Sequence, residues 1–316
     1  MELLFWSFIL LVALAALVKS ADFFTVAAER LGLFFGLSSF VIGATIVSFG
    51  SSMPELATAL FALKAGATSF AIDNIVGSNI ANALLVAGIA SVAVKTLRVK
   101  EQLIDVDVPF FFMSTALFIL FIMDGKFTAA EGVVSLVMLG VFVVYTISAG
   151  RDDISDHDEK EDTKPPLKAV FQSLGIIVVS IIGIVISSKY TIDSVTHIAE
   201  LMDIAPAIIT MLAVAFGTSL PEIIISVRAA MAGRHSIALG NIFGSNTFNV
   251  LAVAGIPSFF GTLTVSPEVF TIGLPFLIVA SLAFIFATSD DKIQKWEGFA
   301  LLIIYVAFVG KITGMF

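Results

Sequence analysis

Phe49-Gly50-Ser51-Ser52-Met53-Pro54-Glu55 returns almost letter for letter as Phe216-Gly217-Thr218-Ser219-Leu220-Pro221-Glu222, and each copy lies in the middle of a long apolar stretch. A second string follows each copy at the same distance: Asn74-Ile75-Val76-Gly77-Ser78-Asn79 and Asn241-Ile242-Phe243-Gly244-Ser245-Asn246. One offset of 167 residues relates every match, so the two halves are copies with no net insertion between the motifs. An acid repeated inside apolar segments points to an ion site.

The composition places that acid in a membrane. Hydrophobic residues make up 58% of the chain, charged residues only 13%, and the mean hydropathy is +1.05. A soluble surface needs roughly 25% charged residues. Cysteine is absent, which excludes disulfides, thiolate metal sites and cysteine nucleophiles. The net charge of −8 gives no reason to expect nucleic acid as a partner.

Apolar runs near the length of about 20 residues that a span requires read at 3–19, 35–64, 71–94, 107–123, 127–148, 169–188, 204–231, 237–260, 267–287 and 297–315. The expectation is an all-α membrane protein of ten transmembrane helices. They divide into an N-terminal five-helix repeat, 1–149 with its motif at 40–90, and a C-terminal one, 169–316 with its motif at 207–257. The second and seventh runs carry Gly, Ser or Thr and Pro in their middles, where a simple anchor would have Leu.

Orientation follows from Lys and Arg. With the N-terminus outside, one side receives Lys19, Arg30, Lys95, Arg98, Lys100, Arg151, Lys160, Lys164, Lys168, Arg228, Arg234, Lys292 and Lys295, and the other only Lys64, Lys126, Lys189 and Lys311. Thirteen against four predicts a multi-pass cell-membrane protein with both termini extracytoplasmic. Five spans per copy then turn the second copy upside down, giving inverted repeats. The first 20 residues lack a basic region ahead of the apolar run, so they read as a retained first helix rather than a signal peptide. The linker 150–168, with seven acids, four bases and Pro165-Pro166, reads as a solvated cytoplasmic connection, and its spacing does not match a calcium-binding D-x-[DN]-x-[DN]-G loop.

Pro54 and Pro221 lack an amide hydrogen and crowd the preceding turn, which predicts freed carbonyls at Gly50 and Gly217. Freed carbonyls are tolerated in a membrane only where protein, water or an ion meets them. The backbone oxygens of Ser48, Ser51, Ala215 and Thr218 are therefore candidates to face a cation. The hydroxyls of Ser51, Ser52, Thr218 and Ser219 stand beside them, and Glu55 and Glu222 supply charge. On the following helix Ser78 and Asn82, and again Ser245 and Asn249, are four residues apart and share a face. All are hard oxygen donors, suited to Na⁺ and Ca²⁺ rather than soft metals. Two carboxylates compensate one Ca²⁺ or several Na⁺, and a carrier reluctant to cross with bare acids behaves as an exchanger.

The strings GSSMPE with GSNIAN, and GTSLPE with GSNTFN, resemble the two α-repeats of the sodium/calcium exchanger family of cation/calcium antiporters, and the likeness extends over essentially the whole chain. The resemblance implies an electrogenic Na⁺/Ca²⁺ antiporter without a cofactor or an obligatory protein partner, embedded in the lipid bilayer. It implies a core of helices 2, 3, 7 and 8 with helices 1 and 6 sliding across it. It implies a Ca²⁺ site from Glu55 and Glu222 with the backbone oxygens of Ser51 and Thr218. Sodium sites would use the Ser48 carbonyl with Ser52 and Ser78, and the Ala215 carbonyl with Ser219 and Ser245, while Asn82 and Asn249 complete the centre. Several relatives, potassium-dependent ones among them, have an acid where Asn249 stands, so Asn here speaks against K⁺ as an added ion.

Asp73 departs from the Gly usual in the family and present at Gly240. It reads either as an acid at a helix N-terminus or as a cation-attracting acid at the outer entrance. Arg228 is expected to snorkel at a helix end, and His157, His197 and His235 carry no assignment. The runner-up function is a cation/proton exchanger of the same fold, against which the hydroxyl-rich flanking positions speak. A channel would need no inverted symmetry around a closed site, and an enzyme is unsupported because no nucleophile–base pair is visible.

Overall fold

The computed structural model describes residues 2–98, 101–157, 167–202, 219–290 and 292–315. The protein is mostly helical. Among the described residues the helices are α1 (Glu2–Phe34), α2 (Ser39–Lys64), α3 (Phe70–Val94), α4 (Glu101–Ile122), α5 (Ala129–His157), α6 (Leu167–Leu201), α7 (Leu220–Met231), α8 (His235–Ser258), α9 (Val269–Ala287) and α10 (Lys295–Ile312). Among the described residues seven of them, α1, α2, α3, α5, α6, α8 and α9, are long and apolar enough to cross a membrane.

Three helices outrun the expected spans. The first runs on from Lys19 to Phe34, because 20–34 contains no Pro and repeats small or apolar residues at helical spacing: Leu17, Ala21, Phe24, Ala28 and Leu31 are all buried. Lys19 and Arg30 therefore lie within a helix rather than in loops. Likewise α6 continues beyond 188 to Leu201, and α5 continues into the acidic segment as far as His157, seven residues past the expected linker start at 150. Residues 158–166 of that linker, with Lys160 and Lys164, lie outside the described residues.

The core sits on α3 and α8. The apolar stretch of α8 is buried throughout, and that of α3 nearly so. In contrast α1, α5 and α6 turn large apolar side chains outward, among them Phe8, Leu11, Val137, Val144, Val179 and Ile182. Such an outer surface suits lipid, in which every backbone polar group must be satisfied internally, as it is in a helix. The principal neighbour of α1 is α6, so these two form a pair beside the core.

Small residues let α2 and α8 approach closely. A Cβ on Gly43 would meet the Ile237 carbonyl, one on Gly240 the Phe40 carbonyl, and one on Gly244 the Ala44 carbonyl and the Ser48 hydroxyl. This is the small-residue packing common between membrane helices.

Two short antiparallel ribbons tie the loops. β1 (Thr96–Arg98) pairs with β4 (Lys292–Gln294), Leu97 opposite Ile293, and β2 (Lys126–Phe127) pairs with β3 (Leu263–Thr264), Lys126 opposite Thr264. Adding 167 to Leu97 gives Thr264, and subtracting it from Ile293 gives Lys126, so the duplication exchanges the two ribbons with their register intact. Only the 22-residue α4, about 33 Å at 1.5 Å per residue, separates β1 from β2. The ribbons thus occupy opposite ends of the bundle.

Candidate functional site

In α2 the helix breaks at Ser52, whose φ of −88° and ψ of 8° leave the helical region, and it restarts at Met53 with Pro54 in the first turn. A proline costs nothing there, since first-turn amides have no helical acceptor. Ser219 repeats the conformation, with φ −84° and ψ 2°, ahead of Pro221 in α7. The same irregular backbone therefore precedes the Pro-Glu pair in both copies. Short π-helical turns, Gly43–Val47 in α2, Ala81–Val86 in α3 and Asn249–Val253 in α8, adjoin the motifs. Such π turns are frequent at functional sites, and nothing in the residue pattern announced them.

The restarted segment of α2, Met53–Lys64, packs on the π turn of α8, and its duplicate, Leu220–Met231, packs on the π turn of α3. Glu55 and Glu222 meet at this crossing. Both carboxylates are fully buried and near enough to repel each other electrostatically. Ser52 donates its hydroxyl to Glu222 Oε1 at 3.1 Å, while both oxygens of Glu55 and Oε2 of Glu222 have no hydrogen-bond partner. Asn82 Oδ1 and Asn249 Oδ1 are likewise buried and unpartnered. An unpaired buried charge costs several kcal/mol, so a cation is the natural counterpart of this set of oxygens.

Of the other expected residues, the Ser51 and Ser245 hydroxyls lie 3.1 Å apart, and Ser48, Ser78 and Ser219 are buried. One expectation is modified: the Ser48 carbonyl accepts from Ser52 N–H at 3.0 Å and stands 3.2 Å from the Ser51 hydroxyl, so it is not a bare carbonyl. Ala215 and Thr218 lie outside the described residues. Arg228 is not a free snorkelling cation: its guanidinium pairs with Asp22 of α1 through two bonds of 2.9 and 2.8 Å, leaving the glutamates without a basic partner among the described residues. Asp73 stands in the first turn of α3 and accepts from the Ser266 hydroxyl at 2.8 Å.

Several asparagines of the repeated strings went unassigned in the sequence. Asn241 accepts from the Ser51 hydroxyl at 3.0 Å and donates to Ser226 Oγ at 2.9 Å. Asn79 bridges to Asn246 and Asn249. The available signal was their duplication at the same offset as the glutamates. Among the described residues no three His, Cys, Asp or Glu side chains gather, so the charge at this site is that of two carboxylates.

Fold and site together define a multi-pass membrane protein with a buried, oxygen-lined pair of acids where the two repeated Pro-Glu segments meet. The chain belongs to the sodium/calcium exchanger family, whose description as sodium/calcium exchanger protein matches residues 5–148 and again 172–313. It is similar to sodium/calcium exchanger MaX1 of Methanosarcina acetivorans, at 31% identity over 95% of this chain and 96% of the relative. It is also similar to uncharacterized membrane protein MJ0091 of Methanocaldococcus jannaschii, at 28% identity over 96% of each. Among solved structures it superposes on the sodium-calcium exchanger NCX_Mj, soaked with 10 mM Na⁺ and zero Ca²⁺, with a TM-score of 0.82 and 27% identity over 98% of this chain and 99% of that one.

Proposed function

We propose that this protein exchanges Na⁺ for Ca²⁺ across the cell membrane by alternating access, with Glu55 and Glu222 holding either load. The observation that carries the reading is the pair of fully buried carboxylates with three of their four oxygens unpartnered. Crossing empty would leave two acids bare in a low dielectric, and that penalty couples the movement of one ion to the return of the other. The names of MaX1 and NCX_Mj agree with this choice of ions.

The architecture behind it is ten spans in two inverted five-helix repeats, 1–149 and 169–316, joined by a cytoplasmic linker at 150–168, with both termini extracytoplasmic. Support comes from the ribbons, which sit at opposite ends and are interchanged by the 167-residue offset. A family match once in each half agrees with a duplication. In the site, Ser48, Ser52, Ser78, Ala215, Ser219 and Ser245 serve Na⁺, the backbone oxygens of Ser51 and Thr218 serve Ca²⁺, and Asn82 and Asn249 complete the centre. With asparagine at both central positions only two carboxylates are present, and exchange is K⁺-independent and electrogenic.

The test is Ca²⁺ uptake into proteoliposomes loaded with Na⁺. An outward Na⁺ gradient is expected to drive uptake with or without K⁺, and an inside-positive potential to accelerate it. Uptake driven equally well by a pH gradient in the absence of Na⁺ would replace this reading with cation/proton exchange.

A further inference from the structure

The neutral amide of Asn249 can turn either its oxygen or its NH₂ group toward a cation, and only the oxygen is a ligand. The Asn246 backbone carbonyl can only accept, and Asn79 meets it with Nδ2 at 3.1 Å. The other end of the Asn79 amide is then necessarily its oxygen. That oxygen, 3.1 Å from Asn249, can only accept, so Asn249 must present Nδ2 to it. Asn249 Oδ1 is left over, fully buried and without a partner. The orientation follows from the backbone carbonyl at the start of the chain of bonds, so it does not depend on telling amide N from O.

The duplicate position does not behave the same way. Asn79 and Asn246 correspond under the 167-residue offset, yet the Asn246 side chain does not return the bond to the Asn79 carbonyl. The Asn246 amide donates instead to Ile242 O on its own helix at 2.7 Å. Asn82, the counterpart of Asn249, consequently has neither amide atom partnered.

We infer that Asn79 is a positioning residue that fixes Asn249 with its oxygen toward the transported cation, and that Asn246 does no such service for Asn82. The two repeats thus contribute unequally: one amide held by a hydrogen bond and one that makes none. Groups that orient a metal ligand typically change affinity 10–100-fold when removed.

The inference rests on Asn249 being a ligand, and the experiment separates the two. Na⁺-gradient-driven Ca²⁺ uptake is measured for wild type, Asn79→Ala, Asn249→Ala, the double variant and Asn246→Ala. Asn79→Ala is expected to raise KM for Ca²⁺ about tenfold with the maximal rate little changed, to add nothing in the Asn249→Ala background, and to contrast with Asn246→Ala at the wild-type KM. Asn79→Asp, which keeps an acceptor toward Asn249, is expected to return KM to the wild-type value or below, and it stands in if Asn79→Ala fails to fold. A lowered maximal rate at unchanged KM, effects of the two alanines that add, or Asn79→Asp behaving as Asn79→Ala would overturn the positioning role. Asn249→Ala at wild-type KM would remove the ligand beneath it, while Na⁺/Ca²⁺ exchange itself would stand.

Discussion

At the scale of single residues the site is a balance of oxygens. Glu55 accepts no hydrogen bond and Glu222 accepts one, from Ser52. Neutralising either acid is therefore expected to abolish exchange, with Glu55→Gln and Glu222→Gln each lowering Ca²⁺ uptake by about 100-fold or more, because a buried charge partner of the ion is lost. Asn249→Asp adds a third carboxylate and is expected to tighten Ca²⁺ binding, since ligand charge count sets Ca²⁺ affinity; competition by Na⁺ in the uptake assay checks it. That Glu55, Glu222, the repeated serines, Asn82 and Asn249 lie inside the protein was legible because they stand out as polar residues repeated in apolar runs. Asn79 and Asn241 repeat too, but their roles depend on which atoms face which across two helices, and a linear pattern does not carry that.

At the scale of helices, the close crossing of α2 and α8 is the element that sets the distance between the two copies. Gly244→Ala would push a methyl group into the Ala44 carbonyl and the Ser48 hydroxyl, and overpacking of this kind costs about 1–3 kcal/mol. A lowered melting temperature in detergent, with weakened Ca²⁺ uptake, is the expected outcome. The Asp22–Arg228 pair between α1 and α7 is a different matter, because its side chains are 31% and 46% exposed. Exposed pairs contribute little, so Asp22→Asn is expected to change stability by less than ~1 kcal/mol, as read by the same melting experiment. The proline breaks could be foreseen from Pro54 and Pro221, yet the irregular backbone falls at Ser52 and Ser219, just ahead of them. Helix ends at Phe34 and Leu201 were hidden, because a helix leaving the apolar zone need not stop while one face still packs.

At the scale of the molecule, the duplication is visible in the residues and again in the exchange of the two ribbons. Since the chain contains no cysteine, single introduced cysteines report topology without background. Met315→Cys is expected to react with a membrane-impermeant thiol reagent from outside intact cells, and Ser289→Cys only after the membrane is opened; both positions are exposed. Labelling of the two from the same side would contradict an odd number of spans between them. The fold was legible to this extent because a bilayer leaves a chain few options beyond helices of sufficient length. The packing of α1 on α6 beside the core is set by tertiary contacts between helices whose patterns look alike.

The central claim is that one pair of acids holds Ca²⁺ and Na⁺ in turn. Equilibrium binding of radioactive Ca²⁺ to the purified protein, titrated with Na⁺, tests it most directly. The account predicts that Na⁺ displaces Ca²⁺ competitively and steeply, with more than one Na⁺ replacing each Ca²⁺, and that Glu55→Gln and Glu222→Gln lose the Ca²⁺ site. Ca²⁺ binding that persists unchanged in both variants, or that Na⁺ fails to displace, would contradict it.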